Sequence, residues 1–382
     1  MNRARQLHKI SSIRYFGLFL ASIPAVVLLI LFISGWSWPD ETSDPVSDFL
    51  VEFPILPEEG NPLNIVVQDP GHVWFTMPLS NAIGSLIVTS TTNYQFDFFV
   101  IPTSDSHPYD LVYDHVREGV WFTEHKANKI AFLEPSTGIF TETIITTPAS
   151  APAGIALAPD GTLWFVEQDA DQLASFDPDS NTLSEFLYSL SGDIREDVVM
   201  LEDVVVANPS SIWFTAPGVH RVVRFVPDTE DFLSIPVNSG PTTPTFAAHR
   251  VINGSSGQIW ITAPEMDKIG LYVPGTTTLW RWYGLPAAAN AGLAGLAYSW
   301  HDGRHILWYT ESETGFVGFI AIDVTGRVVA ARRHALSSPS SKPIGIAVDS
   351  NEQAWIAEYE GEMIAAWYPP YNHASFLPVL SH

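Results

Sequence analysis

Residues 121–142 read WFTEHKANKIAFLEPSTGIFTE. Two short runs, Trp121–Thr123 and Lys129–Leu133, flank a polar knot, and the turn Pro135-Ser136-Thr137-Gly138 leads into a third run. Each run is too short for a helix and rich in aromatic and β-branched residues, which fit a pleated, half-buried surface, so each reads as a strand. Short strands joined by tight turns cannot bury an apolar face alone. The stretch therefore implies further copies of itself.

Seven copies are present. Trp74-Phe-Thr-Met, Trp121-Phe-Thr-Glu, Trp164-Phe-Val-Glu, Trp213-Phe-Thr-Ala, Trp260-Ile-Thr-Ala, Trp308-Tyr-Thr-Glu and Trp355-Ile-Ala-Glu follow one another at spacings of 47, 43, 49, 47, 48 and 47 residues. A small apolar strand precedes most of these anchors, as at Asp110–Tyr113, Gly154–Ala158 and Gly345–Asp349, and two more strands follow each. Four short strands repeated at such a period are the pattern of a β-propeller, one blade per repeat, with each Trp packed between neighbouring sheets. A plain sandwich does not explain sevenfold recurrence. Frequent Gly and Pro among strand-like runs exclude a helical solenoid.

The fold class expected is all-β, a seven-bladed β-propeller over residues 48–382, preceded by one transmembrane helix. The chain has 382 residues, 46% hydrophobic and 16% charged, so it is a packing composition, not a disordered one. Phe16–Trp36 holds no charged residue and is long enough to span a bilayer. Arg3, Arg5, Lys9 and Arg14 precede it within a basic segment, residues 1–15, and an acidic linker, residues 37–47, follows. The positive-inside rule puts the N-terminus in the cytoplasm and the propeller outside a cell membrane. A cleaved signal peptide is the competing reading, against which stand the length of the run and the lack of an Ala-x-Ala site.

The formal net charge is −24, and outside the basic N-terminal segment 14 basic residues face 42 acidic ones. Such a domain repels phosphate backbones, which excludes nucleic acid as a partner. It suits cationic ligands or divalent metals such as Mg or Ca, and equally a need for solubility. There is no Cys, hence no disulfide and no thiolate-bound metal. Ring closure is open at this stage: residues 48–56 and residues 373–380 both read as the fourth strand of blade seven.

WFTEHKANKIAFLEPSTGIFTE and APAGIALAPDGTLWFVE resemble the repeat of the virginiamycin B lyase (streptogramin lyase) family, over roughly residues 48–380. The resemblance implies a seven-bladed propeller. It also implies a Mg²⁺-dependent elimination that opens a macrocyclic depsipeptide, with a His as base and carboxylates on the metal. The family base lies in a last-blade motif, Glu-Pro-His-Gly-Ile. The matching stretch here is Lys342-Pro343-Ile344-Gly345-Ile346, so an aliphatic residue stands for the base and a cation for a metal ligand. A second family His is matched by Ala294, and a last-blade Glu by Glu358 or Tyr359. The corresponding positions elsewhere are assigned to Leu63, Tyr109, Ala153, Glu202 and Thr245, and on that assignment no blade supplies the missing His.

The residue before each inner strand should line the mouth. His107, Tyr109, Asp110, Glu202, Asp203, Lys342 and Glu358 are the candidate ligand-binding residues. Glu124, Glu167, Glu311 and Glu358, which end the Trp strands of four blades, either bond the following turn or form an acidic crescent that holds a metal. His301 and His305 flank an Asp-Gly turn and are a weaker metal pair. Trp280-Arg281-Trp282-Tyr283 is a partner patch or outer-strand packing. Three function classes follow: a propeller binding a small molecule or a protein at its mouth, a divergent Mg-dependent lyase, and a metal-dependent lactonase-like hydrolase needing Glu202, Asp203 and Glu358 to converge.

Overall fold

A computed structural model of the chain describes residues 49–55, 60–189, 199–240, 245–275, 279–286 and 289–368. They form seven antiparallel four-stranded sheets. Six are contiguous in sequence, for instance blade two, with strands Pro108–Asp114, Gly119–Glu124, Lys129–Glu134 and Ile139–Ile144 from the axis outward. Blade seven takes Pro343–Val348, Ala354–Glu358 and Met363–Tyr368 from the end of the chain and its outer strand, Phe49–Pro54, from the beginning. Phe49 to Pro54 pair with Tyr368 to Met363. Of the two strands proposed to close the ring, the N-terminal one does so. Residues 373–380 and the apolar run Phe16–Trp36 lie outside the described residues, among which no helix is long and apolar enough to cross a membrane.

The seven Trp residues occupy equivalent places on the second strands. Each one reaches the next blade. Trp74 packs with Leu111, Val120 and Phe122 of blade two, Trp121 with Ile155 and Phe165 of blade three, and Trp355 with Ile65, Val73 and Phe75 of blade one. Apolar area removed from water between sheets is therefore the repeating source of stability. The Trp280–Tyr283 run joins this packing: Trp280 and Trp282 donate their indole N–H to the carbonyls of Pro236 and Asn238 in blade four, at 2.8 and 3.0 Å.

The Thr of the Trp-Phe-Thr motif has a second task. In blade two the Thr123 hydroxyl accepts the Asp110 N–H at 3.2 Å and donates to the Ala153 carbonyl of blade three at 2.8 Å. Thr76 and Thr310 repeat this toward Tyr109 and Ile344. Blades three and seven have Val166 and Ala357 there. In these, Gly154 and Gly345 donate directly to the carbonyls of Glu202 and Leu63, at 2.9 and 3.0 Å.

Candidate functional site

Seven equivalent positions open the inner strands. The register, together with the backbone bond from Thr262 N to the Arg250 carbonyl, gives them as Leu63, Tyr109, Ala153, Glu202, His249, Ala294 and Ile344. The blade-five residue is His249, which corrects the assignment to Thr245. Thr245 instead bridges to Asn238 and bonds His220. The signal was in the spacing: Leu63, Ala153, Glu202 and Ile344 each lie eleven residues before their Trp, and eleven before Trp260 is His249. A His therefore does stand at one of the seven positions.

His249 Nδ1 meets Glu202 Oε2 at 2.6 Å, joining blades five and four across the mouth. The bond to Glu202 raises the imidazole pKa above its ordinary value, against the opposing effect of burial, with Arg250 lowering it and Glu265 raising it further. The His249 side chain remains 39% exposed. Tyr109, on blade two, packs its ring on His125 with centroids 5.5 Å apart, and His107 lies beyond at 6.3 Å from His125. Burial and the nearby Glu202 carboxylate push the Tyr109 phenol far up, so it stays protonated and can donate. Burial, Lys126 and His125 lower the His107 pKa against the opposing effect of Asp105, and so favour the neutral ring.

Below these residues lies a charged floor. Arg250 extends from blade five to blade one, where Nη2 donates to Asn64 Oδ1 at 2.8 Å, and Nη1 lies 3.8 Å from Asp203. Asp203 Oδ2 accepts the Val251 N–H at 2.8 Å and Asp110 Oδ2 accepts the Ile155 N–H at 3.1 Å. Both aspartates thus tie their blade to the next. Burial raises both carboxyls, Asp203 to about 7, while Arg250 pulls them down. Beyond the floor a cavity of about 350 Å³ runs along the inner strands, past Val112, Leu157, Val206 and Ile252.

The remaining candidates do not converge with this group. Lys342, in left-handed backbone at φ 46, pairs with Glu360. Glu124, Glu167, Glu311 and Glu358 are fully buried, each inside its own blade, so the acidic crescent does not form. Burial raises Glu124 to about 7, Glu167 to about 8 and Glu358 to about 7, with Glu142, Glu185 and Glu52 adding to the respective shifts. Glu311 is held by Arg333 at 2.6 Å. His301 pairs with Glu352 and His305 with Tyr298. Among the described residues no group of three or more His, Cys, Asp or Glu side chains is placed to hold a metal, and Glu202 and Asp203 on blade four do not meet Glu358 on blade seven.

Comparison with known proteins agrees with the fold. A sequence model of the Virginiamycin B lyase family matches residues 46–190. The virginiamycin B lyase of Nocardia farcinica (strain IFM 10152) is 23% identical over 174 residues, 46% of this chain and 54% of that enzyme. The match thus spans about half the length of that relative. A streptogramin B lyase structure superposes with a TM-score of 0.70 at 24% identity, covering 84% of this chain and 97% of that one. A catalytically inactive virginiamycin B lyase variant from Staphylococcus aureus, solved with quinupristin, gives 0.69 at 22% identity, over 85% of this chain and 100% of that one. The scaffold is a virginiamycin B lyase-like seven-bladed propeller.

Proposed function

We propose that the protein binds a small molecule in the mouth of its propeller, in a cup formed by Tyr109, His107 and His125 on blade two, Glu202 on blade four and His249 on blade five. The observation that carries this reading is the asymmetry of the mouth. Its polar and aromatic groups gather on blades two, four and five, while Ala294 and Ile344 leave blades six and seven without a base. The Tyr109–His125 stack offers a face to a planar ring. His249 and Glu202 offer hydrogen bonds to a polar substituent, the usual composition of a ligand pocket.

Saturation-transfer NMR with phenol and benzoate fragments tests the cup. Binding to the native chain that is lost in Tyr109→Ala supports it, and no binding to the native chain removes it. The same protein incubated with quinupristin and Mg²⁺ should form no ring-opened elimination product, which has the compound's own mass and is recognised by chromatography and fragmentation. A general base positioned at the last blade would contribute about a hundred- to ten-thousandfold to the elimination rate, and Ile344 at that place cannot act as one. Linearised product whose formation stops on adding a chelator would overturn the separation from the lyases.

The propeller is proposed to stand outside the cell membrane, held by Phe16–Trp36, on the strength of that uncharged run and the basic residues before it. Protease added to intact cells should digest the propeller while it still sediments with membranes. A soluble form beginning near residue 37 would establish cleavage instead.

A further inference from the structure

The Glu202–His249 contact has the form of a working dyad. A carboxylate on one ring nitrogen fixes the tautomer, leaves the other nitrogen as the base and stabilises the imidazolium that forms. Here His249 Nδ1 lies 2.6 Å from Glu202 Oε2, and a carboxylate there takes the Nδ1–H, so in the neutral ring Nε2 carries the lone pair. A pair serving only to join blades has no need of exposure, yet His249 is 39% exposed and Glu202 18%. A second His–Glu contact, His301 Nδ1 to Glu352 Oε1 at 2.9 Å between blades six and seven, is less open, with side chains 24% and 12% exposed, and it sits at a hairpin rather than at the mouth.

We propose that His249, oriented by Glu202, activates water in the cup for hydrolysis of an activated carboxylic ester, such as a phenolic ester or a strained lactone. This rests on the small-molecule reading of the mouth. His249 Nε2 takes a proton from water as the water oxygen bonds to the acyl carbon. The ester C–O bond then breaks, and the imidazolium returns the proton to the departing alkoxide or phenoxide. The products are one carboxylic acid and one alcohol, and no other reactant is consumed.

The test uses the full-length chain and p-nitrophenyl acetate, with p-nitrophenolate release followed from about pH 5 to about pH 9. The charged groups facing His249 are Glu202, Arg250 and Glu265, of which Glu202 raises its pKa most. The rate of the native chain should therefore rise with pH through a midpoint above 6.5, the ordinary value for His. His249→Gln should lower the plateau rate by about a hundredfold. Glu202→Gln should move the midpoint downward, a change that a purely structural pair does not produce. His115→Gln, an exposed histidine at a hairpin of blade two, should match the native chain. Each variant's thermal unfolding is recorded, so that a misfolded His249→Gln is recognised and Glu202→Gln then decides. A native rate equal to that of His249→Gln, or an unmoved midpoint in Glu202→Gln, overturns the proposal. Fragment binding that persists beside such a result would leave the cup standing and remove only its chemistry.

Discussion

Glu167 ends a Trp strand with neither carboxylate oxygen in a well-formed hydrogen bond, and Glu124 and Glu358 share that condition. A buried, unpaired carboxylate is costly, so these groups keep a proton at pH values where an exposed Glu has lost it. For Glu167 the folded-state pKa is about 8 against an ordinary 4.5. Below 4.5 both states hold the proton and the group adds no pH dependence. Between 4.5 and about 8 the native state binds more protons than the unfolded one, so stability falls as pH rises. Glu167→Gln keeps the shape and removes the ionisation. We expect the variant to gain on the native chain in thermal unfolding as pH rises from about 5 to about 8, with the two converging in acid. A difference that is constant across that range would show that Glu167 is ionised in the fold.

Strand entry is where the repeat varies most, and it explains what was readable in the sequence. The Trp strands and their partners were legible because aromatic and β-branched runs between turn residues recur at a near-constant period. That signal depends only on local chemistry. The mouth was less legible, because its residues lie far apart in sequence and meet only through blade register. Blade five shows the difficulty: Phe246-Ala-Ala-His249-Arg250-Val251 lacks the Pro and Gly that mark the entry of blades three and seven, and its inner strand is three residues long. The motif therefore pointed to Thr245, while the distance to Trp260 pointed correctly to His249. Gly154 and Gly345 open strands in the sequence with no sign of why they are glycine, and each is required by close approach. A Cβ on Gly154 would lie 2.8 Å from the Glu202 carbonyl oxygen, and one on Gly345 2.7 Å from that of Leu63. In blades one, two, four and five a Thr hydroxyl takes the entry N–H and the entry residue carries a side chain, which is how Asn64, Asp110, Asp203 and Arg250 come to form the floor, while blade six keeps Gly295 beside Thr310. The four Glu residues gave the opposite impression. At the end of a Trp-Phe-Thr run they read as turn or metal residues, and only the packed blade shows that they are enclosed.

At the scale of the whole ring, closure joins the last blade to the first. A propeller without its closing strand exposes an unpaired sheet edge, here Met363–Tyr368, which templates association with other chains. The strand Phe49–Pro54 covers that edge along its full length. Phe53 is only 2% exposed and sits against Trp355 and Tyr94, with ring centroids 6.3 and 5.0 Å away. Glu52 reaches sideways to blade six, where its Oε1 accepts the Ser337 N–H at 2.7 Å, and Ile55 N–H donates to the Glu362 carbonyl at 2.9 Å. The closing strand is thus paired within blade seven, bonded to blade six and packed against blade one. Truncating a buried Phe to Ala costs about 3–5 kcal/mol in a packed core, so Phe53→Ala should weaken the ring by about that amount in denaturant unfolding. A chain beginning at residue 55 loses the whole strand, whereas one beginning at residue 46 keeps it. The longer form should unfold in one cooperative step as a monomer. The shorter should unfold at markedly lower denaturant and form larger species by edge pairing, seen by size-exclusion chromatography. Equal unfolding midpoints for the two would mean that some other segment closes blade seven.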